Sequence, residues 1–159
     1  MHTVYILLGS NMGDSAKHLS TAATAISRHI GSIKRRSGLY ETAAWGNTRQ
    51  ADFLNQVLVV HTELEAATLM PLLLRIEKDM GRVRRKKNDP RIIDIDILFY
   101  DKEVIDLPDL QVPHPQLPNR RFVLVPLNAL SPRFVHPVLK KTIHQLLRVC
   151  PDHLPVKKI

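Results

Sequence analysis

Apolar residues recur along the chain in two rhythms, strict alternation and three-and-four spacing, and the switches between them mark out its elements. Val4 to Leu8 is a short apolar run ending in Gly9-Ser10-Asn11-Met12-Gly13-Asp14, a turn in which Asp14 can cap a helix. Leu19, Ala22, Ala23, Ile26 and Ile30 follow at helical spacing, and Gly31 is placed to end that helix. Ile33 to Glu41 predicts a second strand, its alternation broken at Arg35-Arg36-Ser37. After a loop from Thr42 to Asp52, Phe53 to Thr62 predicts a third strand, rich in Val and Leu. Leu69, Leu72, Leu73, Ile76 and Met80 predict a second helix that stops at Gly81; Pro71 fits it only within about the first turn. Ile92 to Tyr100 predicts a fourth strand.

This order, β-α-β-β-α-β, is that of a ferredoxin-like α+β fold, an antiparallel sheet with its helices on one face. Beyond it, Glu103 to Ile105 reads as a hairpin partner, and Phe122 to Leu130 and Lys141 to Cys150 as short helices. These C-terminal helical additions would cover part of the free face and build a cleft there. With 159 residues, 44% of them hydrophobic, and no compositional break, one domain over residues 1–159 is expected. No apolar stretch reaches the roughly 20 residues that span a bilayer, and Met1 to Gly9 lacks the form of a signal peptide. A soluble cytoplasmic protein is expected, with the single Cys150 in a packing role.

Chemistry enters inside the fourth strand. Asp94 and Asp96 share one face of it, while Ile93, Ile95 and Ile97 point into a core. Two neighbouring carboxylates on a rigid strand repel each other unless a cation joins them, and hard oxygen ligands of this kind suit Mg²⁺ beside substrate phosphates. An amphipathic strand with one solvated face would alternate in the same way. The preceding segment shifts the balance: Arg82 to Arg91 holds six cationic residues and one acid, a net +5 of the chain's +8. Guanidinium forks match phosphate oxygens, so a cationic loop feeding an acidic pair fits a nucleoside triphosphate with its metal.

Three further places carry candidate ligands. Gly9-Ser10-Asn11 precedes a helix as a phosphate-cradling turn does, without the spacing of a P-loop. Phe53 and Asn55 put a ring and an amide on one strand face, and a flat heterocycle can stack on the first and be read by the second. Pro113-His114-Pro115 and Asn119-Arg120-Arg121-Phe122 add an imidazole, a guanidinium and another ring. A basic ferredoxin-like RNA-binding module is the competing reading. It would explain charge and fold, but it gives the Asp pair no purpose, and aromatics at 5% do not interleave with the basic run. A ligand-sensing regulatory domain is a third possibility.

Leu7-Leu8-Gly9-Ser10-Asn11, Tyr40-Glu41-Thr42 with Asp52-Phe53-Leu54-Asn55, Gly81-Arg82-Val83-Arg84, Pro90-Arg91-Ile92-Ile93-Asp94-Ile95-Asp96-Ile97 and Val112-Pro113-His114-Pro115 with Arg120 and Phe122 stand in one uninterrupted order. Together they resemble the 6-hydroxymethyl-7,8-dihydropterin pyrophosphokinases, from about residue 3 to about residue 130. The resemblance implies a folate-pathway enzyme that transfers the terminal diphosphate of ATP to the hydroxymethyl group of a reduced pterin and releases AMP. It implies a monomer with two Mg²⁺ ions and ATP as co-substrate, with no nucleic-acid or membrane partner. By the same resemblance Asp94 and Asp96 would bridge both metals, and Arg82, Arg84, Arg91 and His114 would meet the nucleotide. Phe53 and Phe122 would sandwich the pterin, with Thr42, the backbone of Ala44, and Asn55 on its edge and Arg120 near its outer end. No side chain is placed as a strong general base, so the metals would make the hydroxyl acidic enough. The chain departs from many relatives at Asn88-Asp89-Pro90-Arg91, where they carry an aromatic-Gly-Pro-Arg sequence, and at Pro115, where some carry Tyr. Closure of the loop from Arg84 to Pro90 is the expectation this touches, and Trp45 could supply part of the missing aromatic cover.

Overall fold

The computed structural model describes residues 1–43, 51–82 and 91–159. Strand β1 (His2–Ser10) leads into helix α1 (Ser15–His29), then β2 (Ser32–Arg36), β3 (Tyr40–Thr42), β4 (Phe53–Thr62), α2 (Ala66–Asp79) and β5 (Asp94–Tyr100). A small hairpin, β6 (Ile105–Leu107) and β7 (Leu110–Val112), is followed by α3 (Arg121–Leu130), α4 (Ile143–Arg148) and a terminal strand β8 (Val156–Lys158). The main sheet runs β5-β1-β4-β3-β8, with β2 also paired to β4, and the pairings of β1 with β4 and β5 are antiparallel. This is the expected ferredoxin-like α+β arrangement, lengthened at one edge.

Alternation along β1 builds two cores. Val4, Ile6 and Leu8 face α1 and α2, packing with Leu19, Ile26, Leu69, Leu73 and Ile76. Tyr5 and Leu7 face the other way, among Leu124 and Leu127 of α3 and Ile143 and Leu146 of α4. The C-terminal additions therefore cover the second face. Among the described residues, no helix is long and apolar enough to cross a membrane.

Helix α1 starts as its sequence indicates, with the Asp14 side chain accepting from the Lys17 N–H. The strand predicted from Ile33 to Glu41 instead divides into β2 and β3. Ser37 causes the break: its N–H donates to the Val57 carbonyl, and its hydroxyl, instead of a backbone carbonyl, accepts from the Val57 N–H. Pro71 is the sixth residue of α2, beyond the first turn, so the helix forgoes one N–H bond there and its apolar stripe carries it. Gly81 ends α2 in the left-handed region at φ +96°, whereas Gly31 is needed for closeness, because a Cβ there would lie 2.1 Å from the His61 carbonyl oxygen.

One irregularity positions the site. Tyr5 pairs with Phe99 but Ile6 with Ile97, so Leu98 is the extra residue of a bulge. Leu98 and Phe99 then both pack on the α3 face, and the Leu98 carbonyl accepts the N–H of His114 at 3.1 Å.

Candidate active site

The C-terminal end of β1 meets the N-terminal ends of β4 and β5, and there Gly9 lies in register between Asn55 and Asp94. A Cβ on Gly9 would lie 2.9 Å from Asn55 Oδ1 and 3.7 Å from a carbon of the Phe53 ring, so the glycine forms the floor on which these side chains stand. Asn55 Nδ2 donates to Thr42 Oγ1 at 3.4 Å, which links β4 to β3 across the buried edge of this wall. On the opposite side Asp94 and Asp96 share one strand face, while Ile93, Ile95 and Ile97 join the α1/α2 core.

Asn11, almost fully buried, holds the rim. It takes the Arg91 N–H on its side-chain oxygen at 2.8 Å, donates its own N–H to the Arg91 carbonyl at 3.1 Å, and donates its amide to the Ala51 carbonyl at 3.2 Å. The turn that resembles a phosphate cradle thus serves as a clamp between two chain segments that flank the site.

The carboxylates are set among cations. Arg82 Nη1 donates to Asp94 Oδ1 at 2.8 Å and to Glu77 Oε2 at 2.8 Å, and Arg91 Nη1 lies 3.5 Å from Asp94 Oδ2. Burial works against the Arg82 charge, but Asp94 and Glu77 outweigh it and raise its pKa. Glu77, at 2% exposure, also accepts the Ile95 N–H at 2.7 Å, so it fixes both the guanidinium and the backbone between the two aspartates. Sequence reasoning missed Glu77. Its signal was its place on the apolar stripe of α2, four residues after Leu73 and three before Met80.

Asp96 is the unsettled group. Burial, then the charges of Asp94 and Glu77, push its carboxyl up to about 7, against the pull of Arg120 and Arg82. Arg120 is lowered by burial and by Arg91, while Asp96 and Asp94 hold it up; its guanidinium carbon lies 5.8 Å from the centroid of the Phe122 ring. Phe122 in the first turn of α3 and Phe53 at the start of β4 stand on the same side of the sheet, both partly exposed. His114 Nδ1 accepts the Gln116 N–H at 3.2 Å, which leaves Nε2 to carry the proton. Burial and Arg120 lower its pKa to about 4, against Asp94, so the ring is neutral near pH 7.

The structure therefore brings Thr42, Phe53, Asn55, Arg82, Arg91, Asp94, Asp96, His114, Arg120 and Phe122 to one end of the sheet. Ala44, Trp45 and Arg84, with the loop from Arg84 to Pro90, lie outside the described residues. Another group with metal-ligand chemistry, His2, Asp101 and Glu103, has its donor atoms within 4.8 Å of one another at the far end of β1 and β5.

The donor set at the near end fits Mg²⁺. Two carboxylates share one face, Asp96 raised by burial and then by Asp94, and they offer the hard oxygen donors that a divalent cation takes, with the guanidiniums of Arg82 and Arg91 beside them.

Comparison with known proteins agrees. Residues 5–132 match the sequence profile of the 7,8-dihydro-6-hydroxymethylpterin-pyrophosphokinase family. A 2-amino-4-hydroxy-6-hydroxymethyldihydropteridine pyrophosphokinase of Aquifex aeolicus is 41% identical over 145 residues, covering 91% of this chain and 90% of the relative. The Haemophilus influenzae protein of the same name is 36% identical over 158 residues, 99% of this chain and 98% of its own. The crystal structure of wild-type Plasmodium falciparum HPPK-DHPS with pteroate shares the fold, with a TM-score of 0.77 at 18% identity over 92% of this chain and 44% of that one. The chain belongs to the 7,8-dihydro-6-hydroxymethylpterin-pyrophosphokinase family and is an ATP-dependent pyrophosphokinase of folate biosynthesis.

Proposed function

We propose that the chain transfers the terminal diphosphate of ATP to the hydroxymethyl group of 6-hydroxymethyl-7,8-dihydropterin and releases AMP, with Asp94 and Asp96 holding two Mg²⁺ ions. The observation that carries this reading is geometric: Asp94 and Asp96 share one face of a rigid strand, with Arg82 at 2.8 Å and Arg91 at 3.5 Å from the Asp94 carboxylate. Burial and then the neighbouring Asp94 both disfavour the Asp96 carboxylate, and a dication entering the pair would offset both. When bound there, Mg²⁺ would neutralise the phosphates and make the pterin hydroxyl more acidic.

The remaining work falls to the chain. Arg91 and Arg82 stand beside the carboxylates as phosphate ligands; Arg82 is held ready by Glu77, so it keeps a partner when phosphate replaces Asp94 as its second acceptor. Neutral His114 offers an Nε2–H donor to a phosphate or ribose oxygen without the cost of burying another cation. Phe53 and Phe122 supply stacking faces for the pterin, and Thr42 and Asn55 its polar edge. Arg120 interacts with the charges of Asp96 and Asp94 and sits 5.8 Å from the centroid of the Phe122 ring, which supports a role near the outer end of the pterin and phosphate site. Ala44, Trp45 and Arg84, outside the described residues, keep the roles the resemblance implies.

An RNA-binding sheet needs an open face with exposed rings, and here α1 with α2 and α3 with α4 cover the two faces. The six-stranded sheet, which joins β1 near the start of the chain to β8 near its end, supports one domain, and site residues drawn from one chain support a monomer. The test is AMP release from ATP and the reduced hydroxymethylpterin at saturating Mg²⁺. Phe122→Ala should weaken pterin binding by about 1 to 3 kcal/mol and spare the ATP analogue. Release of ADP instead of AMP, or equal losses for both ligands, would overturn this reading.

A further inference from the structure

The family profile ends at residue 132, yet the last ten residues of the chain turn back to the site. Asp152, at 8% exposure, accepts the Arg121 N–H on Oδ2 at 2.9 Å and the Leu154 N–H on Oδ1 at 3.0 Å. Arg121 is the first residue of α3; the residue before it, Arg120, makes no side-chain cap, and the first turn contains no acidic residue. A carboxylate from elsewhere in the chain therefore caps this helix and complements its N-terminal partial charge. Arg120 and Phe122 sit on either side of the N–H that it holds.

Two residues beyond Leu154 the chain becomes β8 and pairs with β3: Val156 faces Thr42, Lys157 faces Glu41 and Lys158 faces Tyr40. The Ile159 N–H closes the end of the ladder on the Leu39 carbonyl at 2.9 Å. On its other side β3 places Thr42 opposite Phe53 and Tyr40 opposite Asn55. A three-residue strand left at an edge would be held from one side only, and its open backbone groups would exchange with water. Gly38 shows how closely the tail fits, since a Cβ there would lie 2.8 Å from Lys158 Cε. Helix α3 packs against both β3 and β8, so the two attachments form one unit.

We infer that residues 150–159 are a strut that sets the pterin-side walls, with Asp152 as a positioning residue for Arg120 and Phe122 and β8 as the support of Thr42 and Asn55. The inference rests on the pterin placement proposed above. Among the described residues the strut makes no hydrogen bond or ion pair to Asp94 or Asp96, and the nucleotide side is held by Glu77 and Asn11 instead. Its loss should therefore separate the two substrates.

The test is calorimetry on the full-length protein and three variants, Asp152→Ala, Asp152→Asn and a truncation after Leu154. The probes are a non-hydrolysable ATP analogue with Mg²⁺, then the reduced hydroxymethylpterin added to that complex. Asp152→Ala and the truncation should each weaken pterin binding about three- to tenfold and raise its KM, with ATP-analogue affinity within about twofold of the parent. Asp152→Asn keeps one acceptor oxygen for Arg121 and should recover part of the pterin affinity at an unchanged ATP affinity. Phe122→Ala serves as the reference. If it weakens pterin binding while Asp152→Ala and the truncation leave it unchanged, or weaken both ligands alike, the strut is merely structural and the inference fails. If Phe122→Ala itself leaves pterin binding intact, the proposed pterin placement fails, and the strut's role with it.

Discussion

Strands β1 and β5 carry a carboxylate cluster at each end, and the two clusters are in opposite electrostatic states. At the far end Asp101 accepts the Thr3 N–H at 2.8 Å and meets His2 Nδ1 at 2.7 Å. Burial alone would raise its carboxyl, but the Thr3 and His2 bonds outweigh burial and lower it. At the near end Asp96 is raised to about 7 by burial and by Asp94 and Glu77. Both ends combine acids with bases on the same two strands; what differs is whether the partners inside the fold balance the charge. His2, Asp101 and Glu103 satisfy a count of metal-ligand atoms more simply, yet Asp101 is already satisfied there. The cluster left in deficit is the one that a ligand completes.

The largest effect should follow from exchanging the acids at the two ends. Asp94→Asn and Asp96→Asn should each lower AMP release at least about a hundredfold at saturating Mg²⁺, with an unchanged circular dichroism spectrum, because each removes a ligand for charge developing on phosphate. Asp101→Asn should stay within about twofold of the parent. Comparable losses at Asp101 would erase the distinction between the ends.

Next in size is Glu77, which belongs to the near end without facing the substrate. Glu77→Ala leaves Arg82 and the Ile95 N–H without their buried acceptor and should cost about 3 kcal/mol of stability by urea unfolding. Glu77→Gln keeps an oxygen for Ile95 but loses the charge that holds Arg82, so it should cost less stability while turnover still falls, by about tenfold. Parent-like turnover in Glu77→Gln would mean that Arg82 needs no second carboxylate to stay in place.

Much of this could be read in the sequence, and the exceptions share a cause. Phe53 to Thr62 alternates and is bounded by polar turns, and its predicted limits match β4. Asp94 and Asp96 declare themselves by a two-residue period inside an apolar strand. Glu77 and Asp152 did not stand out, and Asn11 stood out only as part of a turn, because each acts on residues distant in the chain: Ile95, Arg121 and Arg91. A buried acid or amide leaves a local trace only where it interrupts an apolar stripe, as Glu77 does. Strand β8 has one partly buried apolar residue and two exposed lysines; its strand state comes from β3, across more than a hundred residues of chain. The division at Ser37 depends on a hydroxyl bond to Val57 that no local pattern encodes.

The smallest effects come from pH, and they separate the two ends by sign. In metal-free buffer the Asp96 carboxyl is raised in the folded protein from an ordinary value of 3.8 to about 7, so the unfolded chain gives up this proton first. Its contribution therefore turns against the fold as pH climbs from about 4 to about 7, and stays unfavourable above. Asp96→Asn should then melt higher than the parent at pH 8 without metal, by on the order of 1 kcal/mol after solvent screening. The margin should close toward pH 4, and Mg²⁺ should reverse it by stabilising only the parent. Asp101 runs the other way. Its carboxyl is lowered on folding, so its contribution is complete above about pH 4 and is lost as pH falls through the lowered value. Because the Asp101 side chain is 36% exposed, Asp101→Asn should cost only about 0.2 to 1 kcal/mol at pH 7. That difference should shrink as pH falls below about 4 and be lost as Asp101 protonates in the folded protein. Thermal melts of the parent and both variants from pH 3 to 8, with and without Mg²⁺, read the two slopes directly, and slopes of the same sign would show that both clusters are settled by the fold alone.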